Sequence, residues 1–263
     1  MAVFVAVGSR MIRSGDGRTN KYDVEAGNNT YDNAVIENSK ISEKNKIQNN
    51  QSMLDDIMNS TQYPKQLKDL ALKNEEVLEF VYDYPAEHVK KHTIDLTEEA
   101  SMDSVPLFVQ WDKRWGYEKY SGNFFAASGC GPTTLSMVVV YLTHNREASP
   151  IAVAKYSKEA GYSVDGSGSS WTLISEGCMH YGVKAKTVAL DESRMKAELD
   201  EGHPIVVNVG PGDFTDTGHF MVITGYDDEG FSINDPNSIE KSGKRWLFRN
   251  ISSQIRAVWS MYV

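Results

Sequence analysis

The order of secondary-structure signals along the chain predicts an α+β fold. Helix-capping punctuation dominates as far as Gly182, and β-branched and aromatic runs dominate from Val183 onward. No internal repeat cuts across this change. Helices first and strands second leave a helical N-terminal half to pack on a C-terminal antiparallel sheet.

At 263 residues, 40% of them apolar and five of them tryptophan, the chain fits one large domain, alone or with an appendage. A formal charge of −9 excludes the clustered basic surface that nucleic acid requires, and disfavours anionic lipid. Two cysteines, Cys130 and Cys178, make no disulfide framework. No stretch reaches the roughly 18 apolar residues of a membrane span. The apolar opening Met1–Val7 is far shorter. It reads either as the stub of a trimmed signal or anchor or as a frayed or docked terminus, and membrane contact is expected only through such a lost anchor.

Residues 1–62 are expected to be a polar linker or stalk, poorly ordered or extended. Asn, Ser, Lys and Asp dominate residues 8–60, and apolar residues too sparse to offset ordering entropy allow one weak helix near 32–48. Residues 63–104 read as a helical extension. Pro64 opens a helix bearing Leu67, Leu70, Ala71 and Leu72; Asn74-Glu75-Glu76 caps a second bearing Val77, Leu78, Phe80 and Val81, which Pro85 stops. The main domain spans 105–263. It enters through a short strand and an aromatic-rich turn over 106–117, followed by a helix from Cys130 to about His144. Further helices run from Ser149-Pro150 to Gly161, from Ser170 to before Gly182, and from Asp191 to Gly202. Strands are predicted at 183–190, 204–209, 219–225, 230–234, 246–249 and 256–263.

The chemistry converges on Ser128-Gly129-Cys130-Gly131-Pro132-Thr133-Thr134. Proline near a helix start loses no useful N–H, and the two glycines let the backbone turn and leave room for a neighbour. A thiol at a helix N-terminus is acidified toward the reactive thiolate. Such a nucleophile needs a base and a group to orient it. Five of the six histidines have ordinary readings: His88 and His92 solvated, His144 and His180 at helix ends, His203 at a strand entrance. His219 opens a strand after the glycine-rich loop 210–218, which leaves its ring accessible. Reflecting the hairpin about Asp227 sets His219 beside Asp235 across the ladder, with a slip of a residue or two if the turn is bulged. Asn234 and Asn237 are alternatives for the same role. Ser128 reads as a cap or turn residue and Cys178 as a core thiol. The Cys130 N–H and the side chain of Gln110 are the candidate oxyanion donors. The 213–217 loop with Trp111, Trp115 and Trp171 is expected to wall the cleft. Two cysteines are too few for a structural zinc, and neither glycine-rich stretch has a phosphate-loop pattern, so no cofactor or metal is expected.

Ser128-Gly129-Cys130-Gly131-Pro132-Thr133, Asp165-Gly166-Ser167-Gly168-Ser169-Ser170-Trp171, Gly218-His219-Phe220 and Asn234-Asp235-Pro236-Asn237 together resemble the papain-like cysteine peptidases. The branch they resemble is related to the bacteriocin-processing, double-glycine peptidases, in a stand-alone bacterial form. The resemblance runs from about Tyr63 to the C-terminus and is dense from Val105. It implies a papain-like fold with Cys130 as nucleophile, His219 as base and Asp235 as orienting partner, in a secreted or surface-anchored bacterial protein; a cytoplasmic location stays open. It departs from the transporter-fused members at Asn123–Ala126, where they carry the oxyanion glutamine; Gln110 is the replacement. The resulting expectation is a monomeric cysteine peptidase or amidohydrolase acting on peptide or protein through a thioester. An acyl or peptidyl transferase with the same triad, and a non-catalytic peptide- or wall-binding module, are the alternatives.

Overall fold

A computed structural model describes residues 29–263. The expectations for Met1–Val7, and for the linker as far as residue 28, lie outside the described residues. The chain divides between Ile47 and Gln48 into two compact units. The cores, sheet and cleft that follow all belong to the second.

Helix α1 spans Asn29–Asn59. The helix expected near 32–48 is present and runs further, so residues 49–59 are helical where an extended linker was expected. Met53, Leu54 and Ile57 recur at helical spacing, and Ile57 is fully buried, so the last turns have an apolar seat. After it come α2 (Lys65–Lys73), a single 3₁₀ turn (Glu75–Val77), α3 (Leu78–Tyr82) and α4 (Tyr84–Glu87). Asn74 accepts from the Glu76 N–H at 3.0 Å, as a capping residue should. Pro85 opens α4 rather than ending the run, since its missing N–H falls in a first turn. Leu67, Ala71, Val77, Phe80 and Val81 pack with Phe124 and Ala126 into one apolar cluster.

The predicted strand within 106–117 is absent. That segment is tied instead by single bonds to the end of a later strand: Gln110 N–H donates to Pro236 O at 2.7 Å, and Asn234 Nδ2 to Val105 O and Pro106 O at 3.1 Å each. A two-stranded ribbon, β1 (Lys119–Tyr120) with β2 (Asn123–Phe124), leads through α5 (Phe125–Ser128) into α6 (Cys130–Thr143). Every residue of α6 from Gly131 to Val140 is buried. Pro132 falls among the first four positions, whose N–H groups have no intrahelical partner. His144, at φ 54°, ends the helix in the left-handed conformation and bonds Ala100 O through Nδ1 at 2.8 Å.

Next come α7 (Pro150–Glu159), capped by Ser149, and a small hairpin of β3 (Ser163–Val164) with β4 (Gly168–Ser169). The helix predicted from Ser170 is broken into α8 (Thr172–Ser175) and a 3₁₀ segment, Gly177–Tyr181. The remaining elements are β5 (Lys184–Thr187), α9 (Glu192–Asp200), β6 (Ile205–Val209), β7 (His219–Asp227), β8 (Gly230–Asn234), α10 (Ile239–Ser242), β9 (Arg245–Trp246), α11 (Phe248–Ile251) and β10 (Ile255–Tyr262). The strand expected at 246–249 is cut to two residues because the chain turns into α11.

Six strands form an antiparallel sheet in the order β5-β10-β6-β7-β8-β9. Both its faces are covered. Phe220, Val222, Trp259 and Met261 meet Leu135, Val138 and Val139 of α6 on one side. Met221, Ile223, Phe231 and Ile233 meet Met195 of α9 and Ile251 of α11 on the other. The fold is therefore α+β, helices packed on an antiparallel sheet, with the Cys130 helix laid against the central strands.

Candidate active site

Cys130 is the first residue of α6, and two contacts fix that start. Thr134 donates its hydroxyl to Phe220 O at 3.1 Å, tying α6 to the second residue of β7. A Cβ on Gly131 would lie 2.5 Å from Ser169 Oγ and one on Gly129 2.5 Å from the Phe125 ring, so both positions demand glycine. Phe125 and Ser169 are thus the neighbours for which these two glycines leave room. Neither glycine has a positive φ, so close approach rather than an unusual turn explains them. Ser169 is held by Tyr120, whose hydroxyl sits 2.7 Å from Ser169 Oγ and 2.8 Å from Ser157 Oγ. Ser128 ends α5 and donates to Tyr120 O at 2.8 Å.

His219 begins β7. Asn208 on the neighbouring strand donates to its carbonyl at 3.2 Å. The residue is 6% exposed, not open as the loop's glycines suggest. Nε2 lies 2.7 Å from Asp235 Oδ1, which leaves Nδ1 for Cys130. The hairpin arithmetic needs correcting. Asp227 pairs with Gly230, so the turn centre is Asp228-Glu229, and a bulge at Thr224 shifts the ladder before Val222 meets Asn234. Continued three positions, that register sets His219 opposite Asn237, with Asp235 its diagonal neighbour on the same face. Diagonal pairs remain within reach of long side chains.

Asp235 is completely buried. Its Oδ1 also accepts the Asn237 N–H at 2.8 Å, while Oδ2 has no hydrogen-bond partner among the described residues. A buried carboxylate so placed depends on the imidazolium for its charge balance. Burial works against a proton on His219, but the Asp235 charge and hydrogen bond, with Cys130 beyond, push its pKa up to about 10. Burial alone would raise the Cys130 thiol; the hydrogen bond and charge of His219, with the backbone of Phe220 and Gly131, bring it below its ordinary value. The two shifts together favour a thiolate–imidazolium pair. Cys178 differs in kind: fully buried, with its pKa pushed up to about 11 by desolvation.

A cleft of about 680 Å³ opens over Cys130, His219 and Gln110. Gln110 Nε2 donates to Ala126 O at 2.7 Å. Its second N–H has only a 3.5 Å contact to Asn237 Oδ1, too long to hold it firmly. The 212–216 loop lines the cleft, but Trp111, Trp115 and Trp171 do not. Trp115 is buried with its Nε1 on Val109 O at 2.9 Å, Trp111 packs with the extension, and Trp171 lies edge-on to Trp259. Trp246, tilted against Phe214 with ring centroids 4.5 Å apart, supplies the aromatic wall instead. Leu70, Lys73, Asn74, Glu75 and Glu76 line the cleft as well, and no local pattern announces them near the thiol. His88 and His92, four residues apart, are satisfied locally on Tyr84 O and Glu87 O.

Residues 102–263 match the model of the Peptidase_C39 like family. Among solved structures, the chain is similar to the peptidase domain of Streptococcus ComA, described as a bifunctional ABC transporter involved in a quorum-sensing pathway. The identity is 19% over 60% of this chain and 96% of that one, with a TM-score of 0.44. It is also similar to a C39-like peptidase from Bacillus anthracis, at 18% identity over 60% of this chain and 95% of that one, with a TM-score of 0.37. No curated protein matches the chain.

Proposed function

The chain belongs to the Peptidase_C39 like family, and from that premise we propose that it cleaves peptide or amide bonds through a thioester on Cys130. The observation that carries the proposal is His219, bonded through Nε2 to Asp235 at 2.7 Å while its other side meets Cys130 on the floor of the cleft. His219 holds the thiol proton, and the Cys130 thiolate attacks the substrate carbonyl carbon. The oxyanion takes hydrogen bonds from the Cys130 N–H and the loosely held Nε2–H of Gln110. The tetrahedral adduct collapses as the imidazolium gives its proton to the departing amine, leaving Cys130 acylated. Water then attacks the thioester, His219 accepts its proton, and the carboxylic acid leaves as the thiolate is restored. Asp235 keeps the ring oriented and its Nε2 protonated throughout.

The test is a peptide library incubated with the full chain and with Cys130→Ala, read by mass spectrometry, with and without added amine. Cleavage that requires Cys130 and yields free acids supports the hydrolase. Amine-capped products in place of acids would assign a transferase, and no Cys130-dependent product at all would leave a binding module.

A further inference from the structure

We infer that Glu76 is a positioning residue for Asp235, reaching the site from outside the family-matched segment 102–263. The inference rests on the His219–Asp235 couple proposed above. Asp235 is not held by its strand, which ends at Asn234, but by the turn that follows. That turn is closed by local bonds: Ser238 N–H to Asp235 O at 3.2 Å, Asn237 N–H to Asp235 Oδ1 at 2.8 Å, and Asp235 N–H to Ser242 Oγ at 2.9 Å.

A four-residue helix such as α10 has little stability of its own. Glu76 supplies what it lacks. Its Oε2 accepts the Ile239 N–H at 2.7 Å and the Glu240 N–H at 3.1 Å, and its Oε1 accepts the Ser238 hydroxyl. These are charge-assisted bonds, stronger than neutral ones. Asn74 completes the grip. Its Oδ1 accepts the Glu76 N–H at 3.0 Å and its Nδ2 donates to Asn237 O at 2.9 Å. The peptide it holds by the carbonyl is thus flanked by the residue whose own N–H meets the Asp235 oxygen used by His219. Glu76 and Asn74 also line the cleft, so the extension before residue 102 forms both a wall of the site and the support of its acid.

The test is an NMR titration of the His219 imidazole in the full chain, comparing wild type with Glu76→Ala, Glu76→Asp and Glu76→Gln. An Ile57→Val variant loosens the extension without touching the turn. With the turn released, the midpoint for His219 is expected to fall by about one pH unit or more in Glu76→Ala. It should fall by less in Glu76→Asp, whose carboxylate is one methylene short. Glu76→Gln, which keeps an acceptor for the Ile239 and Glu240 N–H groups, should restore most of it. On a cleaved peptide, Glu76→Ala should lower kcat tenfold or more with KM nearly unchanged. A folded Glu76→Ala with the wild-type titration, or an equal shift in Ile57→Val, overturns the inference. If Glu76→Ala does not fold, Glu76→Asp decides: a wild-type midpoint there also overturns it. The peptidase reading fails separately, if wild-type Cys130 labels no faster than a free thiol, and that result leaves the His219 titration to judge Glu76 by itself.

Discussion

His219 Nε2 and Asp235 Oδ1 meet at 2.7 Å although the ladder does not set these residues opposite each other. The bulge at Thr224 and the bend after Asn234 bring a diagonal pair into contact. Both side chains are almost completely buried, at 7% and 1% exposure. Deleting one member of such a pair strands the other's charge, at a cost of about 3–5 kcal/mol. Asp235→Ala should therefore destabilise the protein by roughly that amount in urea unfolding. Asp235→Asn should unfold nearer wild type yet lose activity by about 10²-fold or more, because a neutral amide stabilises the imidazolium less than the carboxylate does. Equal stability of Asp235→Ala and wild type would mean the pair is not formed.

The pH dependence has a defined sign. The His219 pKa in the folded chain is about 10, above the ordinary 6.5, so its stabilisation is complete below pH 6.5 and is lost as pH rises through about 10. Cys130 is shifted down from 9.0, so its contribution is present above pH 9.0 and is lost as pH falls through the lowered folded value. The ion pair occupies the window between the lowered thiol and the raised imidazole. NMR should find His219 still protonated at pH 8, and Cys130→Ser should move its midpoint downward. Titration of His219 near 6.5 in wild type would contradict the pair.

Gln110→Ala tests the oxyanion side. Loss of one such donor is expected to lower kcat by about 10²–10³-fold with little change in KM. The rate of Cys130 alkylation should stay as in wild type, since Gln110 is not bonded to the thiol. A fall in alkylation with kcat intact would assign Gln110 to packing instead.

Gly131→Ala should destabilise the chain by about 1–3 kcal/mol, the range for overpacking a filled site. The added Cβ would meet Ser169 Oγ at 2.5 Å and Cβ at 2.7 Å. Ser169→Gly in the same chain should recover part of that loss in urea unfolding, although it forfeits the Tyr120 bond. No recovery would place the strain elsewhere.

What could be read from the sequence was local. Cys130 at a helix start, Ser149 and Asp191 as caps, and His219 opening a strand each depend on residues within one turn of themselves. Asp235 was legible as the partner, but its register was not, because nothing in 219–235 announces a bulge at Thr224. Gln110 was legible as a candidate oxyanion donor, but its approach to the cleft was not, because it depends on single bonds to Pro236 and Ala126. Two relationships had no local signal at all. Ser169 fills the space over Gly131 through the β3–β4 hairpin, and Glu76 meets Ser238 across 162 residues of chain. Such pairings are set by tertiary packing, which periodicity and capping do not encode. Helix α1 was legible near 32–48 but not in its last turns, whose few apolar residues suffice because Ile57 finds a seat among Leu67, Val77 and Phe80.

The central claim is a thiolate held by an imidazolium, and alkylation of Cys130 by iodoacetamide across pH measures it most directly. The wild-type chain should label rapidly at pH 6–7, with Cys130→Ala showing no such labelling and His219→Ala slowed to the rate and alkaline midpoint of an ordinary thiol. Labelling of wild-type Cys130 no faster than a free thiol, or unchanged by loss of His219, would contradict it.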